Sequence, residues 1–458
     1  MKGWSLRRVL LGITGILLAV LAYLMLGSLP PRQRIMASIF ILTVFLWITE
    51  IIPIFVTAVL SAFLCALLLG QGATLFGAQP LPASLFFNPF ANTVIVLMFG
   101  GFVLARVFSR NYLDEEFCDF ILARLGNKPQ VVLLGIMGIT AVMSMWMSNT
   151  ATTAIMVATV LPAVRGLRPG SNLAKALMLG IPFAANIGGI ATPIGTPPNA
   201  IALGLLAERG YTVSFFTWMI AGFPLMVVVL LITFGLTWAM FKTTVTEFSL
   251  KVSREHPTAN RGIVYTTFFA TVLLWLTDAL HHIPSAVVAL VPMLVFSVAG
   301  LFSKEDLRLI AWDILLLIGG GLALGAGIKE TGLADTIVQY AVPSGFPKFG
   351  VIALFSFFIA LIATFMSNTA AATIVLPIAV SLSGQSPMMM MITVAICTSY
   401  GMALPISTPP NAIAYGSEMI QSKDMFRLGA LVSIVAVIVT VAWQALLFLV
   451  FPGLAVTS

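Results

Sequence analysis

MSMWMSNTATTA, residues 143–154, lies inside a stretch from 129 to 164 that has no charged residue and no histidine. Ser148, Asn149 and Thr150 sit near its middle. The stretch is long enough to reach deep into a bilayer, where three consecutive polar side chains are expensive. Polar groups at that depth are tolerated where they are buried in protein or line a site. A second copy, MSNTAAATI at 366–374, is again centred in an apolar run, and the two Ser-Asn-Thr triplets lie 219 residues apart. Two matched triplets read as two halves of one site.

The composition agrees with a membrane setting. Of 458 residues, 60% are hydrophobic and 9% charged, with a mean hydropathy of +1.07. A soluble domain carries about 25% charge, so the chain is expected to cross the membrane many times. Its net charge of +7 then bears on orientation rather than on nucleic acid. Cys65, Cys118 and Cys397 are far apart, without a CxxC, and suggest neither a disulfide framework nor a metal site. The apolar stretch after the basic N-terminus is too long for a signal peptide and reads as a retained first helix. The longest polar segment, 242–261, reads as a connecting loop.

Apolar runs of spanning length fall at 9–29, 35–52, 54–70, 91–108, 176–206, 214–241, 263–280, 285–302, 312–328, 388–417 and 428–451, which predicts about eleven crossings. The runs 130–164 and 349–382, with a triplet at each centre, read as re-entrant hairpins. With the N-terminus in the cytoplasm, this arrangement puts 18 of the 23 Lys and Arg on the cytoplasmic side. Only Arg32, Arg34, Arg209, Lys329 and Lys348 remain outside.

The halves repeat beyond the triplets. Trp47-Ile-Thr-Glu50 returns as Trp275-Leu-Thr-Asp278, Gly100-Gly101 as Gly320-Gly321, and Thr196-Pro-Pro-Asn199 as Thr408-Pro-Pro-Asn411. An odd number of crossings separates the copies. The expectation is therefore an all-α polytopic protein with an N-terminal helix (1–34) and two inverted repeats, 35–262 and 263–458. Interrupted helices in corresponding places point to a secondary transporter with its site near the midplane.

Thr-Pro-Pro-Asn sits inside the crossings 176–206 and 388–417. Two prolines in series break a helix, and the residue before proline avoids helical geometry. Each crossing is expected to become two half-helices around an unwound segment with free carbonyls and amides. At a hairpin tip, the first leg ends in carbonyls suited to a hard cation. The second leg begins with N–H groups suited to an anion. Ser and Asn add capping oxygens, and the Thr150 and Thr369 hydroxyls can donate to a carboxylate. No Lys, Arg or His lies in 129–164 or 176–207, and between Lys348 and Lys423 the only charge is Glu418. A divalent anion there would lack a fixed cation, and an unpaired buried charge is costly. Co-transported Na⁺ is the remedy the chemistry suggests.

Two SNT triplets, each followed by TPPN, resemble the divalent anion:sodium symporters, the dicarboxylate and citrate transporters, over nearly the whole chain. That resemblance implies one sodium site at Ser144, Ser148, Asn149 and Gly195, and another at Ala363, Asn368 and Ser407, partly through backbone carbonyls. It implies substrate contacts at Asn149, Thr150, Asn368, Thr369 and Pro409, beside Thr196 and Thr408 of the breaks. Ser407 departs from the Gly or Ala the family pattern would place there. The resemblance further implies a homodimer with an elevator motion in the bacterial inner membrane.

The expected activity is Na⁺-coupled symport of a small dicarboxylate such as succinate, malate or fumarate, with at least two Na⁺ and no nucleic-acid partner. Exchange or proton coupling on the same fold is the alternative. An enzyme would need a catalytic set such as HExxH, and none is seen. His281-His282 reads as a loop turn, Glu50 and Asp278 as structural, and Met388 to Met391 as packing.

Overall fold

The computed structural model describes residues 6–168, 170–250, 260–341, 347–382 and 386–451. Lys2, Lys251 and Arg254 of the charge count lie outside the described residues. Those described are all-α, and seven helices among them are long and apolar enough to cross a membrane: Leu6–Met25, Pro31–Thr49, Ser84–Arg110, Asn172–Ala191, Phe215–Met240, Trp312–Glu330 and Ser422–Val450. Shorter apolar helices, including Ile54–Leu69, Arg261–Leu276 and Ser285–Val298, occupy the other expected runs. The chain is a multi-pass membrane protein.

Local chemistry sets the element ends. Proline occupies the first turn of Pro31–Thr49 and of Pro129–Ser144, where its missing N–H costs no helix bond. Asn92 and Ser214 cap the helices that follow them by accepting from Val94 N and Thr217 N. The run 54–70 departs from a plain helix. It is α-helical over Ile54–Leu64 and widens to a π-helix at Cys65–Leu69. Gly70 follows, and a Cβ there would fall 2.1 Å from the Ala66 carbonyl oxygen.

Both triplet runs bend back on themselves. The first hairpin has legs Pro129–Ser144 and Asn149–Arg165; the second has legs Lys348–Phe365 and Asn368–Leu382. Both TPPN crossings break. The first gives Asn172–Gly188, a 3₁₀ turn and Pro197–Ala207; the second gives Pro387–Thr398 and Pro409–Tyr415, shorter than the run suggests.

Matched contacts recur in the two halves. The buried indoles of Trp47 and Trp275 donate to the carbonyls of Ile54 (3.1 Å) and Ser285 (3.0 Å). A Cβ on Gly100 would fall 2.1 Å from Ala289 O, and one on Gly320 would fall 2.4 Å from Ala58 O. Each half's glycine thus receives backbone from the other half, the close approach that small residues permit between membrane helices. Gly188 and Gly401 repeat the device against the first legs of their own hairpins, at Ala141 O (2.3 Å) and Ala363 C (2.4 Å).

Ion pairs cluster on cations assigned above to the cytoplasmic side. Asp306, capping its short helix with Ser303, pairs with Arg106 at 3.2 Å and with Arg110. Burial pushes the Asp306 carboxyl up, but the Ser303 hydrogen bonds and Arg110 outweigh it and hold the group below the usual carboxylate range. Lys175 pairs with Asp424 and Arg261 with Glu116, both at 3.0 Å.

Candidate substrate and cation site

The first hairpin turns at Ser148, which sits in extended geometry and caps Asn149–Arg165 by accepting from Ala151 N. The leg therefore begins with free N–H groups and the positive end of its dipole. Ser144 Oγ donates to Asn149 Oδ1 at 2.7 Å. Asn149 Nδ2 donates to Asn186 Oδ1 (3.4 Å), and Asn186 Nδ2 donates to Thr408 Oγ1 (3.3 Å). A Cβ on Gly189 would lie 2.8 Å from Asn149 Oδ1 and 3.1 Å from Gly195 O, so these two oxygens border one small space. Thr192 Oγ1 ties the unwound segment to the tip by donating to Met145 O at 2.5 Å.

The second hairpin repeats the plan with different bonding. Ser367 Oγ accepts from Ala370 N, and Asn368 is buried with its Oδ1 unpartnered among the described residues. Ser407 Oγ donates to Thr364 O (2.6 Å) and accepts from Leu404 N (3.1 Å). That hydroxyl is committed to the fold, which leaves the Ser407 carbonyl as its more available cation ligand. Ala363, buried against Gly401, can offer only backbone.

The TPPN asparagines pin the breaks. Asn199 Nδ2 donates to Gly189 O (3.0 Å) and Thr192 O (2.8 Å); Asn411 Nδ2 donates to Met402 O (2.8 Å) and Leu404 O (2.9 Å). Carbonyls at the two breaks are thereby held in place. Thr408 caps its half-helix by accepting from Asn411 N at 3.3 Å, whereas Thr196, equally buried, makes no such cap bond.

The half-helices cross between halves. Pro409–Tyr415 packs on Asn149–Arg165 and Asn172–Gly188, and Pro197–Ala207 packs on Asn368–Leu382 and Pro387–Thr398. The structure thus joins Ser144, Asn149, Gly195 and Thr408 in one cluster, and Ala363 with Ser407 in the other, close to Thr364. Thr150 and Pro409 are exposed and Thr369 is half-buried, so these contribute accessible surface rather than bonded framework, whereas Ser148 is exposed and also caps its leg. Asn186 is the residue sequence reasoning missed. A single asparagine in an apolar helix carries no motif, and its partner Thr408 is 222 positions away.

A cavity of about 530 Å³, lined among others by Thr93, Ser214, Asp278 and His282, reaches Pro193 in the first break. The imidazole of His281 is engaged with Leu274 O and Ile283 N. Arg209 donates to Ser381 Oγ (2.9 Å) and Lys329 to Glu208 O (3.4 Å), so neither cation is directed at the triplets by its hydrogen bonds.

The chain matches the citrate transporter (CitMHS) family over residues 44–395 and, in an overlapping match, 272–457. It is 31% identical over 467 residues to an uncharacterised transporter of Haemophilus influenzae, covering 95% of this chain and 96% of that one. It is 30% identical over 480 residues to the sodium-dependent dicarboxylate transporter SdcS of Staphylococcus aureus (strain USA300), covering 94% and 90%. An uncharacterised transporter of Schizosaccharomyces pombe is 28% identical over 93% of this chain, which spans about half, 52%, of that relative's length. In fold, the crystal structure of the Alcanivorax borkumensis YdaH transporter is similar, with a TM-score of 0.50 at 15% identity over 85% of this chain and 91% of that one. The chain belongs to the citrate transporter family and is a membrane transporter, not an enzyme.

Proposed function

We propose that the protein is a Na⁺-coupled symporter of C4-dicarboxylates such as succinate, malate or fumarate. The observation that carries this reading is the composition of each tip. Cation-type oxygens (Asn149 Oδ1 with Gly195 O, and the unpartnered Asn368 Oδ1) adjoin helix N-termini suited to a carboxylate. No basic side chain lies in the sequence around them. A dianion brought to mid-membrane without counter-charge is strongly disfavoured. Two sodium ions, one at Ser144, Ser148, Asn149 and Gly195 and one at Ala363, Asn368 and Ser407, would cancel its charge. Thr150, Thr369, Pro409, Thr196 and Thr408 would then surround the anion. The name of the Staphylococcus relative supports the same pairing of sodium with dicarboxylate.

In this reading the repeats 35–262 and 263–458 are inverted. The protein is a homodimer in the inner membrane with a cytoplasmic N-terminus, and the hairpins and broken helices move as an elevator against the remaining helices. Uptake of labelled succinate into proteoliposomes should require an inward Na⁺ gradient and rise with Na⁺ with a Hill coefficient above one. Equal succinate binding in sodium and in choline buffer would replace this reading with an exchanger.

Orientation has its own test. Asn127→Cys and Tyr340→Cys, both exposed, in a background lacking Cys65, Cys118 and Cys397, should be labelled from opposite faces of the membrane. Labelling of both from one face contradicts the inverted arrangement. Gly384, which should likewise be labelled from the face opposite Asn127, lies outside the described residues.

A further inference from the structure

Asn186 is buried, 1% exposed, in the helix that precedes the first break. Asparagine is a poor residue for a helix interior, and its amide is costly to bury without partners. Here both ends are used, and they join the two halves of the site. Its Oδ1 accepts from Asn149 at the first tip, and its Nδ2 donates to Thr408 at the second break.

Thr408 Oγ1 also accepts from Asn411 N. A hydroxyl has two acceptor lone pairs and one hydrogen, so both lone pairs are taken. Its hydrogen has no acceptor among the described residues. Thr408 stands next to the exposed Pro409 and Ile406, where an anion would arrive. We infer that Asn186 is a positioning residue for substrate recognition: through its bond to Thr408 it makes that hydroxyl an obligate donor, and through Asn149 it links that donor to the first cation-binding tip. The proposal rests on the symport reading and extends it. A donor whose lone pairs are occupied can serve either oxygen of a carboxylate but only the carbonyl of a carboxamide, whose NH₂ finds no acceptor at Thr408, so the site should prefer its substrate to the monoamide. A cation on Asn149 Oδ1 would polarise the carboxamide and strengthen the donors along the chain, so sodium and anion binding would reinforce each other.

The test is a double-mutant cycle read as succinate binding to purified protein in sodium buffer, with succinamate as competitor. Asn186→Ala and Thr408→Ala should each weaken succinate binding by about tenfold, the scale of a hydrogen bond to a charged group. The double variant should lose about tenfold rather than about a hundredfold, because the two act as one unit. Asn186→Ala should also lower the preference for succinate over succinamate and raise the Na⁺ needed for half-maximal binding. Asn186→Ser, smaller but still a donor, should fold and recover part of the preference. Losses that multiply in the double variant, or an unchanged succinate-to-succinamate ratio in Asn186→Ala, overturn the relay alone. Wild-type protein that binds no succinate in sodium overturns the functional reading and the relay with it.

Discussion

Asn368→Ala is expected to abolish sodium-driven uptake at low Na⁺ while leaving the protein as stable as wild type. The Asn368 Oδ1 is buried and has no hydrogen-bond partner among the described residues, so removing it breaks no such bond. Deleting a buried, unsatisfied polar group removes a desolvation penalty rather than a stabilising contact. If that oxygen ligates a cation, the loss appears only in the Na⁺ dependence. Asn149→Ala should differ in kind. It removes the bonds to Ser144 and Asn186, and should cost about 1–3 kcal/mol of stability together with transport. Uptake measured against Na⁺ concentration, with thermal melts of both variants, separates the cases. An Asn368→Ala protein with the wild-type Na⁺ dependence would remove the second sodium site from the scheme.

The second large effect is expected at Gly401. An alanine there would place its Cβ 2.4 Å from the carbonyl carbon of Ala363 and 2.5 Å from its Cβ. Backbone cannot swing aside as the end of a flexible side chain can, so the hairpin leg must shift. Overpacking of this kind costs about 1–3 kcal/mol. The displaced segment carries Ala363, whose carbonyl is proposed to hold sodium. Gly401→Ala should therefore lower transport by more than about tenfold, since small misplacements in a preorganised site carry penalties of that order. Gly188→Ala, 2.3 Å from Ala141 O, should do the same on the other side. Gly138→Ala is the control, because nothing among the described residues lies within 4 Å of its Cβ, and it should transport normally. Wild-type uptake by Gly401→Ala would show that the leg is not held by this contact.

Much of the arrangement was legible in the sequence because its determinants are local. Proline chemistry acts within a turn, so TPPN marked both breaks. Serine before Asn-Thr is an N-cap signal, and both Ser148 and Ser367 accept the N–H three residues on. The inequality of the two tips was legible only in part. Asn149 and Asn368 stand in the same triplet, yet one carboxamide is bonded at both ends and the other has an oxygen with no partner among the described residues. The oxygen difference is local, because Ser144, which donates to Asn149 Oδ1, has Ala363 as its counterpart 219 residues on; the nitrogen's partner, Asn186, meets the tip only after folding. Ser407 shows the same limit. The resemblance placed Ser407 in the second sodium site and marked it as a departure from Gly or Ala, but the bond from its hydroxyl to Thr364 O follows from where the hairpin leg lies, which no spacing encodes. The π-helix at Cys65–Leu69 was missed because an apolar run has the same composition whichever helix it adopts.

The reciprocal seating of Gly100 on Ala289 and Gly320 on Ala58 has a consequence for biosynthesis. A ribosome adds about 5–20 residues per second, so Ala289 is made roughly ten to forty seconds after Gly100. During that interval the helix Thr93–Arg110 is in the bilayer with its glycine notch facing lipid or the insertion machinery. The half-helix Pro197–Ala207 waits in the same way for the second hairpin on which it packs. The first half therefore cannot reach its final packing while it is still being made alone. Its quality control must tolerate an incomplete, broken-helix intermediate until the second half arrives to close it.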